Sequence, residues 1–330
     1  NTDLNALYRY DSFNWVALAA GFGIVGTTDS AGSPTFYATV KAAYDAGQGS
    51  VKLYSDITES VSRVIQMKNG RDIDLNGFTY TYSATDGSNM FETLDQNCTF
   101  RIINGRLLRT GGLVASTLLK LDKTQTQIDI INVYAENTNG ICLNTKASVF
   151  NGFSSSFIGN ASMSNTFTSP AKVNGGTYVN KNSTGNQSLG GNHIQNAVFR
   201  VVGGRNFGGA SIINKCEFYS ETNAALNFSN STVMNSYMKS VSGSATQNGI
   251  NTTMLNCFAI SSTGVVASAS QPNVKIIKST LITSSSSACL QNIEFVEDCN
   301  ITMNGVGVGI LNSNKVLKIV NNIIKINFGS

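Results

Sequence analysis

Carboxylates are scarce in the middle of this 330-residue chain, and that scarcity limits its chemistry. No Asp or Glu occurs from residue 137 to 216 or from 222 to 293, which isolates Glu217 and Glu221. Hydrolysis of a glycosidic bond needs two carboxyl groups, about 5 to 9.5 Å apart depending on mechanism. On one extended strand, residues four apart are separated by about 13 Å, too far for a pair. A turn between Glu217 and Glu221, or an acid from a second chain, would be required. Solvated or interface glutamates are the plainer reading. Glu294, Glu297 and Asp298 form a later acidic cluster, with Glu294 expected between Lys275 and Lys318 in a ladder of charges.

Other chemistry is equally sparse. The single histidine, His193, follows the polar run "NKNSTGNQSLGGN" with no acid or nucleophile beside it and reads as a surface residue. "GGRNFGG" (203–209) lacks the Lys-Ser/Thr and following helix of a phosphate loop, and reads as a turn. The six cysteines contain no CxxC pair, so a zinc site is not expected; buried free thiols in a reducing compartment are favoured over disulfides. No metal or cofactor is called for. A net charge of +4 without a Lys/Arg cluster argues against nucleic acid. The longest apolar stretch, residues 15–26, is too short to insert across a bilayer.

The elements that position these residues follow from a repeat. An apolar-x-Asn-x-apolar pattern recurs around Asn132, Asn151, Asn196, Asn214, Asn235, Asn256 and Asn321. Weaker copies stand at Asn76, Asn104 and Asn174, and Lys278 and Glu297 fill the slot in two more. These twelve anchors span 245 residues, a mean period of about 22, which is a solenoid period. A small residue beside each Asn predicts a tight bend between two short strands, because Asn tolerates the left-handed conformation. Stacked coils would bring the amides about 4.8 Å apart, and each could donate to one neighbour and accept from the other. The ladder should weaken at Lys278 and Glu297.

The fold class expected is therefore all-β: a right-handed parallel β-helix of about 12 coils and roughly 53 Å, occupying 69–330. In "TTMLNCFAI" (252–260), Met254, Asn256, Phe258 and Ile260 are expected to share the inward face. By the same phase, residues three and five beyond the anchor face outward. Phe199, Val201, Tyr219, Met238, Leu281, Ile324 and Ile326 would then form an exposed apolar stripe, assigned as a trimer interface apart from Tyr219. Tyr178 and Tyr219 are candidate carbohydrate-binding residues. "SPTFYATVKAAYDAGQG" (33–49) reads as a capping helix with Ser33 as N-cap and Gly47 at its end, followed by entry strands up to residue 68. Residues 1–33, with Tyr8, Tyr10, Phe13 and Trp15, either dock to another chain or pack on the first coil.

The run "TVKAAYDAGQGSVKLYSDI…NGRDIDLNGFTYTY", followed by Asn-anchored coils, resembles the cap and first turns of phage tailspikes. Those are similar to pectate lyases in their right-handed β-helix and asparagine ladder. The resemblance covers about residues 34–330 and is architectural. It implies a virion-surface homotrimer, folded in the host cytoplasm and joined to other tail proteins, that binds and often cleaves bacterial surface polysaccharide. The calcium-binding aspartates of a lyase have no counterpart in the middle coils. Binding without catalysis is the favoured reading. A depolymerase with carboxylates completed between subunits, a purely structural spike and a bacterial surface adhesin remain the alternatives.

Overall fold

The computed structural model describes residues 7–11, 14–18, 25–28 and 34–327, apart from 47–48, 62–63, 94, 114, 125, 169–171, 191, 210, 287, 306–308 and 312–317. Each coil gives one short strand to each of three parallel sheets. A middle coil shows the order. Thr232–Met234 lies in sheet 1, a corner falls at Asn235, and Tyr237–Ser240 lies in sheet 2. A turn then leads to Thr246–Asn248 in sheet 3, and a second corner at Asn251 starts the next coil. Among the described residues, sheet 3 holds twelve strands, from Ile65–Met67 to Ile310–Leu311. Thr99–Arg109 and Gln127–Asn137 run from sheet 1 through the corner into sheet 2.

The strand residues alternate in and out, and the corner resets the alternation. Asn104, Asn132, Ser154, Gly175, Asn196, Lys215, Asn235, Asn256, Lys278, Asp298 and Asn321 occupy the left-handed position. In the coil of residues 252–261, Met254 is buried before the corner and Cys257, Ala259 and Ser261 after it. Phe258 and Ile260 therefore stand on the outer face, and Asn256 is exposed at the corner. This overturns the expected single inward face, because one left-handed residue turns the chain by a half-step that strict period-2 reading does not contain. The same shift places Phe199, Val201, Met238 and Leu281 in the core, at 3% exposure or less, so they form no interface stripe. Ile324 and Ile326 occupy those inward columns in the last described coil and are exposed there, at 44% and 42%.

Amides do bond from coil to coil, in three columns rather than one. At the end of sheet 1, Asn151 Nδ2 donates to Asp129 Oδ1 (2.6 Å), Asn174 to Asn151 (2.8 Å) and Gln195 to Asn174 (2.5 Å). At the corner, Asn132 donates to Asn104 (3.4 Å) and Asn256 to Asn235 (2.7 Å). Asn235 Nδ2 crosses between columns to Asn214 Oδ1 at 2.8 Å. Asn151 and Asn214 thus lie outside the corner, whose places go to Ser154 and Lys215. Asn196 and Asn321 hold the corner conformation at φ 55° and 52°. A further ladder runs along the corner from sheet 3 to sheet 1, where Asn251 donates to Asn230 (3.0 Å) and Asn273 to Asn251 (2.9 Å).

The core is a stack of like upon like. Phe157, Tyr178, Phe199 and Phe218 occupy one inward column of sheet 2, with ring centroids 5.1, 4.9 and 5.2 Å apart and planes within 18° of parallel. Behind the corner, Cys216 N–H donates to Ser236 Oγ and Cys257 N–H to Ser279 Oγ, both at 3.1 Å. All six cysteines are buried and free.

At the N-terminal end, the helix is Val40–Asp45, capped by Thr39 Oγ1 accepting from Ala42 N–H. It is shorter than expected, because Pro34–Tyr37 is a strand antiparallel to Val25–Thr28, which also pairs with Val51–Leu53. Ser33 and Gly47 lie outside the described residues. The helix buries Val40, Ala43 and Tyr44 in the same core as the coils. Leu7–Asp11 and Asn14–Leu18 form an antiparallel hairpin, and Phe13 lies outside the described residues.

Candidate functional site

The outer face of sheet 2 gathers aromatic and charged groups around Glu217. Successive coils place Val198, Glu217, Tyr237, Phe258 and Thr280 side by side in one outer row. A second row holds Val179, Arg200, Tyr219, Lys239 and Ile260. Both rows face outward because their residues lie two and four positions beyond the left-handed corner.

Aromatic groups form a ridge across these rows. Tyr237 and Phe258 stack with centroids 5.6 Å apart and planes within 10°, and Tyr219 meets Tyr237 at 5.6 Å. The Arg200 guanidinium lies over the Tyr219 ring at 4.9 Å, within cation–π range. Tyr219 donates its hydroxyl to Glu217 Oε2 at 2.8 Å. Burial and that carboxylate push the Tyr219 phenol up to about 12, so it stays protonated and donating at neutral pH. Burial, then the nearby Glu217 charge, raises Tyr237 as well.

Grooves flank the ridge. On the corner side lies one of about 450 Å³, lined by Lys215, Glu217, Asn235, Tyr237, Asn256 and Lys278 among others. On the turn side lies one of about 330 Å³, lined by Arg200, Tyr219, Glu221, Lys239 and Val241 among others. Ring faces beside polar and charged groups in a shallow groove suit a ligand with alternating apolar and hydroxylated surfaces.

A similar cluster stands four coils earlier on the same face. Tyr134 donates to Glu136 Oε2 at 2.6 Å, the Arg106 guanidinium lies 5.0 Å from the Tyr134 ring, and Lys181 bonds Glu136 Oε1 at 2.6 Å. Burial opposes ionisation of Glu136, but Lys181 and the Tyr134 hydroxyl hold its carboxyl below the ordinary range. The four-coil separation is about 19 Å.

Of the residues singled out from sequence, Glu217 and Tyr219 meet on this face and Glu221 lines its turn-side groove. Glu217 and Glu221 belong to one strand and the residue directly after it, with no corner between them. The spacing expected of an extended strand, about 13 Å, therefore applies, and they do not form a hydrolytic pair. Tyr178 does not belong to the site. It is fully buried in the aromatic column and donates to Gly175 O at 2.9 Å. His193 is exposed, in the sheet 1 strand His193–Gln195. Glu294 accepts from Asn273 N–H at 2.9 Å, and Phe295 takes the expected place between Lys275 and Lys318. Within "GGRNFGG", Asn206–Gly209 is a sheet 3 strand, so only its start is a turn.

Sequence reasoning missed Arg200, Tyr237, Lys239 and Phe258. For Tyr237 and Phe258 the signal was present, since the position two beyond the anchor is repeatedly aromatic or apolar; assigning that column inward concealed it.

The protein is thus a parallel β-helix with an aromatic, charged ridge on one sheet. No family model and no characterised relative matches its sequence. Among solved structures, it is similar to the A-module of mannuronan C-5 epimerase AlgE6 from Azotobacter vinelandii. That match has a TM-score of 0.48 and 12% identity, covering 86% of this chain and 94% of the module. The AlgE4 A-module from the same organism gives 0.43 and 10%, covering 88% and 91%. At these identities, the activity named for those modules is not carried to this chain.

Proposed function

We propose that this protein binds a glycan along the outer face of sheet 2, as the receptor-binding part of a phage tailspike-like virion appendage. The carrying observation is the Tyr219–Tyr237–Phe258 ridge, with Arg200 and Glu217 at its side and a groove on either flank. Ring faces would stack on the apolar faces of sugars, while Glu217, Asn235 and Asn256 would meet their hydroxyls. The separation inferred for Glu217 and Glu221 supports binding over hydrolysis. The partner in this reading is a bacterial surface polysaccharide.

Assembly as a homotrimer, attachment to other tail proteins and a place on the virion surface belong to the same proposal. Its interface cannot use Phe199, Val201, Met238 or Leu281, which are inside the coils. The test is incubation with bacterial surface polysaccharides, recording both retention and new reducing ends. Retention without new ends is expected. New reducing ends would contradict the non-catalytic reading and direct attention to a carboxylate supplied by a second subunit. Absence of retention across a verified panel would contradict glycan binding.

A further inference from the structure

The corner between sheets 1 and 2 selects residues that tolerate a left-handed backbone. Asn, Gly and Asp fit that demand because of a short polar side chain or none. Lys has neither advantage, yet it fills the corner at Lys215 (φ 52°) and Lys278 (φ 51°). Those coils bracket the two that present Asn235 and Asn256, so the column reads Lys, Asn, Asn, Lys over about 14 Å. Both lysines line the corner-side groove, and neither forms an ion pair with a described residue.

Across the aromatic ridge, Arg200 and Lys239 line the turn-side groove. The two grooves thus hold four cations, Lys215, Lys278, Arg200 and Lys239, against two carboxylates, Glu217 and Glu221. One of those carboxylates already accepts the Tyr219 hydroxyl. A wholly neutral sugar polymer would leave the excess of positive charge in these grooves unmatched.

Resting on the glycan-binding reading, we infer that the ligand is an acidic glycan, whose anionic groups meet Lys215 and Lys278 on one side of the ridge and Arg200 and Lys239 on the other. The shared chemistry is a sugar polymer bearing carboxylate or sulfate groups. The corner lysines also supply their own control. Lys215→Asn and Lys278→Asn install the residue that the corner prefers, so these variants should fold at least as well as the parent chain.

Affinity electrophoresis would use polygalacturonate, dextran sulfate, neutral dextran and poly-L-glutamate as probes, with thermal midpoints taken in parallel. Retention by polygalacturonate, dextran sulfate or both is expected, and which of the two retains it separates carboxylate from sulfate. Each Lys→Asn change should weaken that retention about two- to fivefold, with an unchanged or higher midpoint, and added salt should weaken it further. Equal retention by dextran, full retention by the double variant, or equal retention by poly-L-glutamate would each overturn the inference. Retention by dextran alone overturns it while leaving glycan binding intact. Retention by none of the three polysaccharides also overturns it, while glycan binding itself is decided by the bacterial surface panel.

Discussion

At the corner between sheets 1 and 2, Asn235 meets two demands at once. Its backbone sits at φ 51°, and its amide donates to Asn214 and accepts from Asn256. Leu satisfies neither, so Asn235→Leu should lower stability by about 1 to 3 kcal/mol in urea unfolding. Asn235→Gly should recover the backbone share but not the hydrogen bonds. The buried thiols make a second prediction at this scale. Burial pushes Cys98 and Cys257 up to about 11 and Cys216 and Cys289 to about 12, from an ordinary 9.0. Above pH 9 the unfolded chain releases these protons while the folded chain keeps them. Stability should therefore be insensitive to these thiols below pH 9 and fall between about pH 9 and 12. Urea midpoints across that range would show it, and Cys216→Ala should flatten the slope.

At the scale of the element, four successive turns from sheet 2 to sheet 3 are fastened by an inward hydroxyl, from Ser220, Ser240, Ser261 and Thr283. Ser240 Oγ donates to Asn223 O at 2.7 Å and accepts from Gly243 N–H at 2.9 Å. Ser261 repeats this one coil on, donating to Gly243 O and accepting from Gly264 N–H. Gly243 fits because a Cβ there would lie 2.5 Å from the Asn223 carbonyl carbon. Ser240→Ala leaves two half-buried backbone groups, Asn223 O and Gly243 N–H, without this partner and should cost about 1 to 2 kcal/mol in chemical denaturation. Short strands, the coil period and coil-to-coil amide bonding were legible in the sequence, because apolar runs and Asn-rich corners repeat. Sheet 3 was much less so. Its inward positions include Asn165, Gln187 and Asn206, which are fully buried and satisfy their donors on backbone carbonyls, such as Gln187 Nε2 to Tyr178 O at 3.0 Å. A core strand built on amides gives no hydrophobic alternation to read. Tyr219 and Glu217 were visible as candidates, but their companions were hidden by the phase reset at the corner.

At the scale of the whole molecule, the rod stacks identical or similar side chains over many coils, so one inward charge disturbs a continuous column. Met238 follows Phe218 in that column and is fully buried. Met238→Glu should therefore unfold the chain, losing about 3 kcal/mol or more, and should not yield a folded protein of altered assembly mass. Circular dichroism melting with light scattering separates the two outcomes. The outer face of sheet 2 is where the molecule should meet its ligand, and Tyr237 stands at the centre of its ridge. The most direct measurement compares retention of the parent chain and Tyr237→Ala on a bacterial surface polysaccharide that the parent binds. The account predicts about five- to tenfold weaker retention with an unchanged fold. Equal retention by the two proteins would place the glycan elsewhere on the rod and contradict the assignment of this face.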